Sequence, residues 1–120
     1  MSHKSNFCPH FHRAVELIGK RWSGAIVREM LAGATRFTDL VHAIPDLSER
    51  MLCARLRGLE LEGIVERRVY PETPGRVEYH LTEKGVELQR VFDAVGEWAG
   101  RWQDRGVVTQ GGGAPGAGSS

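Results

Sequence analysis

Apolar residues recur every three or four positions over the first half of the chain, alternate with polar ones after Gly63, and return to the helical period after Thr82. Val15 and Ile18, with Leu17 beside them, predict a first helix from about Arg13 to Gly19. Ser23 is the expected N-cap of a second helix running to about Leu31, with Ile26, Val27, Met30 and Leu31 as its core stripe and Gly33 as its stop. Arg36-Phe37 is expected to form a very short strand.

The stretch from Phe37 to Gly63 predicts two short helices joined by a tight turn. The first runs from Thr38, available as N-cap, to Ile44. Pro45 and Asp46 break it, because the residue before a proline is pushed out of the helical region and proline has no N–H to donate. Ser48 caps the second helix and Gly63 closes it. Leu52, Leu56 and Leu59 make one apolar face, while Glu49, Arg50, Cys53, Ala54 and Arg57 point elsewhere. Such a pair is what binding in a DNA major groove needs, and equally what an ordinary helical hairpin looks like.

The residues after this helical pair favour the DNA-binding alternative. Residues 64–70 are rich in β-branched side chains, Pro71 to Arg76 is turn chemistry, and Val77 to Leu81 alternates as a return strand. A hairpin directly after a helix-turn-helix is a wing, so the expected fold is mainly α with a small β-hairpin: a winged helix-turn-helix domain. Thr82 then caps a long helix from Glu83 to about Arg105, roughly 35 Å at 1.5 Å per residue. Its stripe of Leu88, Val91, Phe92, Val95, Trp98, Ala99 and Trp102 is longer than the domain's own core needs and predicts burial against a second subunit. The expected organisation is a flexible N-terminus over 1–7, a winged domain with dimerisation helices over 8–105, and a disordered Gly/Ala/Ser-rich tail over 106–120. Gly111, Gly113 and Gly116 fit GxGxxG by count, but follow no strand and open no helix, so they predict no nucleotide site.

Composition narrows the chemistry. With 16 Lys and Arg against 15 Asp and Glu, net charge is only +1, so any surface for a polyanion must come from local segregation of arginine. Two cysteines, Cys8 and Cys53, are too few for a disulfide-built domain. No secretory signal and no membrane-length apolar run are visible, so the expected compartment is the cytoplasm. HExxH, GxxxxGK[ST] and GxSxG are absent, the acidic residues are scattered, and neither enzymatic activity nor a cofactor is expected.

Several segments at matching spacing carry a family resemblance: Cys8-Pro9, Leu17 to Trp22, Arg36 to Leu40, Ser48 to Leu52, Leu56 to Glu60, Gly63 to Val65, Val69 to Pro71, Pro74, Arg76 to Tyr79, and Leu81 to Gly85. Over about residues 8–103 the chain resembles the HxlR-type winged helix-turn-helix regulators, relatives of the MarR group. Gly58 departs from that pattern, standing where a charged residue is usual, as does the single glycine of Gly19-Lys20-Arg21-Trp22. The resemblance implies a homodimeric transcriptional regulator, joined through its N- and C-terminal helices, that places one recognition helix per subunit in successive major grooves.

On that frame each polar residue has a candidate role. Ser48 can cap the helix and give a hydroxyl to phosphate. Arg50 in the first turn can reach guanine O6 and N7, and Cys53 and Ala54 are small enough to meet thymine methyls. Arg57 can reach phosphate, and Arg76 at the wing is placed for minor groove or backbone. Glu49 most simply complements the helix dipole, although it can also accept from cytosine N4. Arg67 and Arg68 point to opposite strand faces, so only one can face DNA. Against each stands the plainer reading of a solvated surface charge. Cys8 is either a small packing residue or a thiol sensing oxidants or electrophiles, with His10, His12 and Arg13 nearby to favour thiolate. Cys8, His10 and His12 lack an obvious fourth metal ligand, and no metal site is expected. The alternative to DNA recognition is a winged-helix protein-interaction module without specific DNA binding.

Overall fold

The computed structural model describes residues 5–72 and 74–106, with side chains to Gln103. The expected loose N-terminus up to residue 4 and the glycine-rich tail from residue 107 lie outside the described residues. The elements are α1 (Pro9–Gly19), α2 (Ser23–Leu31), α3 (Phe37–Ala43), α4 (Glu49–Leu61), β1 (Val65–Tyr70), β2 (Arg76–Leu81), α5 (Glu83–Val86) and α6 (Leu88–Gly106). They fall into two units, Met1–Gln89 and Arg90–Ser120.

In the first unit, α1 starts four residues before the expected Arg13. Pro9 sits in its first turn, where a preset φ helps and a missing N–H does no harm, and extended Cys8 is the N-cap. The His12 N–H donates to the Cys8 carbonyl at 2.9 Å. Ser23 does not cap α2 as expected. It is the first helical residue and is buried, while Trp22 precedes it in the left-handed region at φ 75°. The Arg21 guanidinium lies over the Trp22 ring at 4.9 Å. Gly33, at φ 116°, ends the helix.

The strand expected at Arg36-Phe37 is instead the start of α3. Arg36 is the N-cap, its N–H donating to Asp39 Oδ2 at 3.2 Å, and Thr38 lies inside the first turn. The sheet still reaches this segment, because the Tyr79 N–H donates to the Thr35 carbonyl at 2.7 Å. Asp46, at φ 67°, makes the turn before α4. Ser48 caps α4 as expected: its Oγ accepts from the Met51 N–H at 3.1 Å. Leu52, Leu56 and Leu59 point inward and join Ile26, Val27, Leu40, Ile64 and Val65 in the core.

The hairpin pairs β1 and β2 antiparallel, with Val65 opposite Leu81 and Tyr70 opposite Arg76. Its base is knotted to the end of α4. The Thr82 N–H donates to the Ile64 carbonyl at 3.0 Å, the Thr82 hydroxyl donates to the Gly63 carbonyl at 2.5 Å, and Lys84 Nζ donates to the Glu62 carbonyl at 2.7 Å. Gly85 is set so close to this corner that a Cβ on it would overlap the Ile64 carbonyl oxygen and lie 3.1 Å from Leu81 Cδ2.

The single long helix expected from Glu83 to Arg105 is two helices. Thr82 caps α5, its Oγ1 accepting from the Gly85 N–H at 3.1 Å, and the helix stops at Val86. Glu87 separates it from α6. In the second unit, α6 leaves Val91, Val95 and Trp98 between 40% and 55% exposed along one stripe.

Candidate nucleic-acid interface

Helix α4 turns its leucines inward, so what it shows outward is fixed by the helical period. Ser48, Glu49, Arg50, Cys53, Ala54 and Arg57 are all exposed. Ser48 uses a lone pair on the Met51 N–H, which leaves its hydroxyl proton to donate outward. Glu49 lies in the first turn, where a carboxylate complements the positive end of the helix dipole.

Two side-chain contacts, one from Arg55 and one from Arg13, seat this helix on the N-terminal segment. Arg55 Nε–H donates to the Arg21 carbonyl at 2.9 Å. Arg13 Nη2 donates to both carboxylate oxygens of Glu62, each at 3.2 Å. Both pairings span more than 30 residues of chain, and no local pattern announces them.

The outward face of α4 is not isolated. Arg50, Cys53, Ala54 and Arg57 line one open concave surface with Arg67 and Tyr79 of the hairpin. Three guanidiniums on it, Arg50, Arg57 and Arg67, stand against one carboxylate, Glu60. This is the local segregation of arginine that a near-neutral chain requires. Arg67, rather than its neighbour, therefore shares the α4 side. Arg68 donates to Glu66 Oε1 from Nε at 3.3 Å and Nη2 at 3.2 Å. Its hydrogen bond with Tyr70, then that with Glu66, raise its pKa above the ordinary guanidinium value.

Arg76 is the site residue whose surroundings differ most from expectation. It is the first residue of β2 and does not project free from the turn. Nε donates to Glu78 Oε2 at 3.0 Å, Nη1 donates to Glu72 Oε2 at 2.6 Å, and the guanidinium lies 4.2 Å from the Tyr70 ring centre. The hydrogen bond with Glu78 and the charge of Glu72 raise its pKa against partial desolvation. Glu78 in turn is held below the usual carboxylate value, by His80 at 2.8 Å first and by Arg76 second. The reason is spatial: pleating sets residues 76, 78 and 80 on one strand face, and the turn brings Glu72 back over them.

Cys8 and Cys53 are both free thiols, and both are exposed. Cys8 stands at the N-terminal end of α1, with its own side chain making no cap hydrogen bond. His12 lies against the Phe7 ring, centroids 5.4 Å apart, and 3.5 Å from Glu16 Oε2. Among the described residues, no three His, Cys, Asp or Glu side chains converge as a metal site would need.

The geometry matches known proteins over most of its length. Residues 17–107 match the HxlR-like helix-turn-helix family. The chain belongs to that family. The HTH-type transcriptional regulator YvaP of Bacillus subtilis (strain 168) is 46% identical over 101 residues, covering 84% of this chain and 94% of YvaP. The reduced form of the transcriptional regulator YodB from B. subtilis aligns with a TM-score of 0.76 at 44% identity, over 84% of this chain and 99% of that one. The reduced form of the redox regulator HypR gives a TM-score of 0.74 at 35% identity, over 80% of this chain and 95% of that one. YodB has also been solved diamide-treated and quinone-bound. The chain is thus a winged helix-turn-helix, DNA-binding transcriptional regulator. Helices α3 and α4 are its helix-turn-helix and the β1–β2 hairpin is its wing. Among the described residues, no helix is long and apolar enough to cross a membrane.

Proposed function

We propose that this regulator acts in the cytoplasm as a homodimer on a pseudo-palindromic operator, with half-sites about 10 bp apart or a multiple of that. The observation that carries the reading is the outward face of α4. A capped helix whose opposite side is clamped by three buried leucines presents Arg50, Cys53 and Ala54 in its first turns, beside Arg67 of the wing. Arg50 reads guanine, Cys53 and Ala54 meet thymine methyls, and Ser48, Arg57 and Arg67 hold phosphates. Glu49 orients the helix end and accepts from cytosine where the groove offers it.

Dimerisation uses the apolar faces of the terminal helices. Phe7, Phe11 and Val15 on the N-terminal side, and Val91, Val95 and Trp98 on α6, are exposed in the single chain and are the surface a second subunit would cover. Cys8, exposed at the start of α1, is the sensing thiol: its oxidation or alkylation changes operator affinity. The relatives support this, since HypR is a redox regulator and YodB has been solved bound to quinone.

Fluorescence anisotropy on the regulator's own upstream intergenic DNA tests the first part. Tighter binding there than to random duplex at physiological salt is expected, with Arg50→Ala losing about 1–3 kcal/mol on the specific site only. Equal affinity for both duplexes would refute sequence-specific reading. The thiol is tested by treating wild type and Cys8→Ser with diamide or a quinone. An affinity change in wild type that is lost in the variant is expected, whereas equal responses remove Cys8 from the mechanism.

A further inference from the structure

The wing carries an ion pair beside its turn, on the strand face opposite the one that Arg67 and Tyr79 turn toward α4. Arg76 is the described wing cation nearest the turn, and its Nε and Nη1 are both taken by carboxylates. The two carboxylates are not equivalent. Glu78 lies within β2, has a side chain only 17% exposed, and is held from its other oxygen by His80. Glu72 lies in the turn after β1, has a side chain 52% exposed, and meets Arg76 through one oxygen at 2.6 Å. The Tyr70 ring keeps the guanidinium plane in place from a third side.

Chemistry makes the outer partner exchangeable. A carboxylate oxygen and a phosphate oxygen offer the same charge and acceptor geometry to a guanidinium N–H. An exposed ion pair is weak in water and is screened by salt, so losing Glu72 to a competing anion is a small barrier. The inner contacts with Glu78 and Tyr70 survive that exchange, so Arg76 stays aimed while its outer edge changes partner.

We propose that Glu72 is an intramolecular stand-in for DNA phosphate, occupying Arg76 in the unbound protein and yielding it to the backbone on binding, and that it thereby sets the wing's affinity for DNA. This rests on the DNA-binding reading of the fold. Glu72 attenuates binding twice: it must be displaced, and once displaced it leaves a negative charge beside the phosphates. The effect is independent of base sequence, because the competed group is backbone.

The test is a double-mutant cycle on the full chain: wild type, Glu72→Gln, Arg76→Ala and the double variant. Each is titrated by anisotropy against the upstream intergenic duplex and an unrelated duplex of equal length, across a salt series. Glu72→Gln is expected to tighten both duplexes about two- to fivefold at low salt and to steepen the salt dependence. The gain is expected to vanish on the Arg76→Ala background. Glu66→Gln, which removes the same charge elsewhere on the hairpin, is expected to gain less. Unchanged or weaker binding by Glu72→Gln, or an equal gain without Arg76, overturns the stand-in role while leaving DNA binding intact. Wild type binding neither duplex overturns both.

Discussion

Adding one methyl group at Gly85 should unfasten the corner where the recognition helix meets the wing. The Cβ of Gly85→Ala would overlap the Ile64 carbonyl oxygen, a backbone atom that cannot rotate away as a side chain can. That carbonyl is the acceptor for the Thr82 N–H at 3.0 Å and for the Thr82 hydroxyl at 3.2 Å. Relief requires α5 to move off the start of β1, which stretches both bonds. Crowding of this kind costs about 1–3 kcal/mol and a lost hydrogen bond about 0.5–1.5 kcal/mol. The sum is about 1.5–4.5 kcal/mol, a fall in Tm of roughly 6–25 °C for a domain of this size. Thermal unfolding followed by circular dichroism measures it, with wild type and variant at equal protein concentration, since a dimer's Tm depends on concentration. A Tm within about 2 °C of wild type, well inside that expected fall, would show that the corner yields without loss, and would refute the close approach as a constraint.

Three further substitutions separate local effects. A Cβ on Gly58 meets nothing within 4 Å, so Gly58→Ala should stabilise the recognition helix by up to about 1 kcal/mol and raise Tm; a lower Tm contradicts this. Ser48→Ala removes the acceptor for the Met51 N–H and should destabilise by about 1 kcal/mol, measured by urea unfolding, with weaker DNA binding because the first turn carries Arg50. Glu78 is held below its ordinary pKa in the fold, so its stabilising contribution is complete above the unfolded value and fades as pH falls through the lower folded one. The Tm of wild type should therefore drop more steeply than that of Glu78→Gln between about pH 5 and pH 3, and parallel curves would remove the wing cluster from acid stability.

The order of elements was legible because it rests on local rules: the period of the leucines at 52, 56 and 59, the Ser48 cap, the proline break and the switch to alternation after Gly63. The reading failed where distant partners decide. Trp22 adopts a left-handed conformation in a turn whose carbonyl, that of Arg21, is gripped by Arg55 34 residues on, and Ser23 thereby becomes a buried helical residue instead of a cap. Arg36 begins a helix because Asp39 accepts its N–H, and the strand contact expected there shifts to Thr35, where Tyr79 arrives from the return strand. The choice between Arg67 and Arg68 depended on which strand face packs toward α4. Arg76 was legible as a wing cation but not as a paired one, because its pairing needs Glu72 folded back over the strand.

The bond from the Tyr79 N–H to the Thr35 carbonyl, with the knot of Thr82 and Lys84 at the end of α4, ties the base of the wing both to the start of the helix-turn-helix and to the end of the reading helix. If that spacing holds on a duplex, the two act as the jaws of a gauge. When such a gauge closes on a duplex, the groove must adjust its width and the base steps their roll. Binding then sorts operators by how easily they deform as well as by the letters they display, and base pairs lying between the jaws, touched by neither, influence affinity through their stiffness alone.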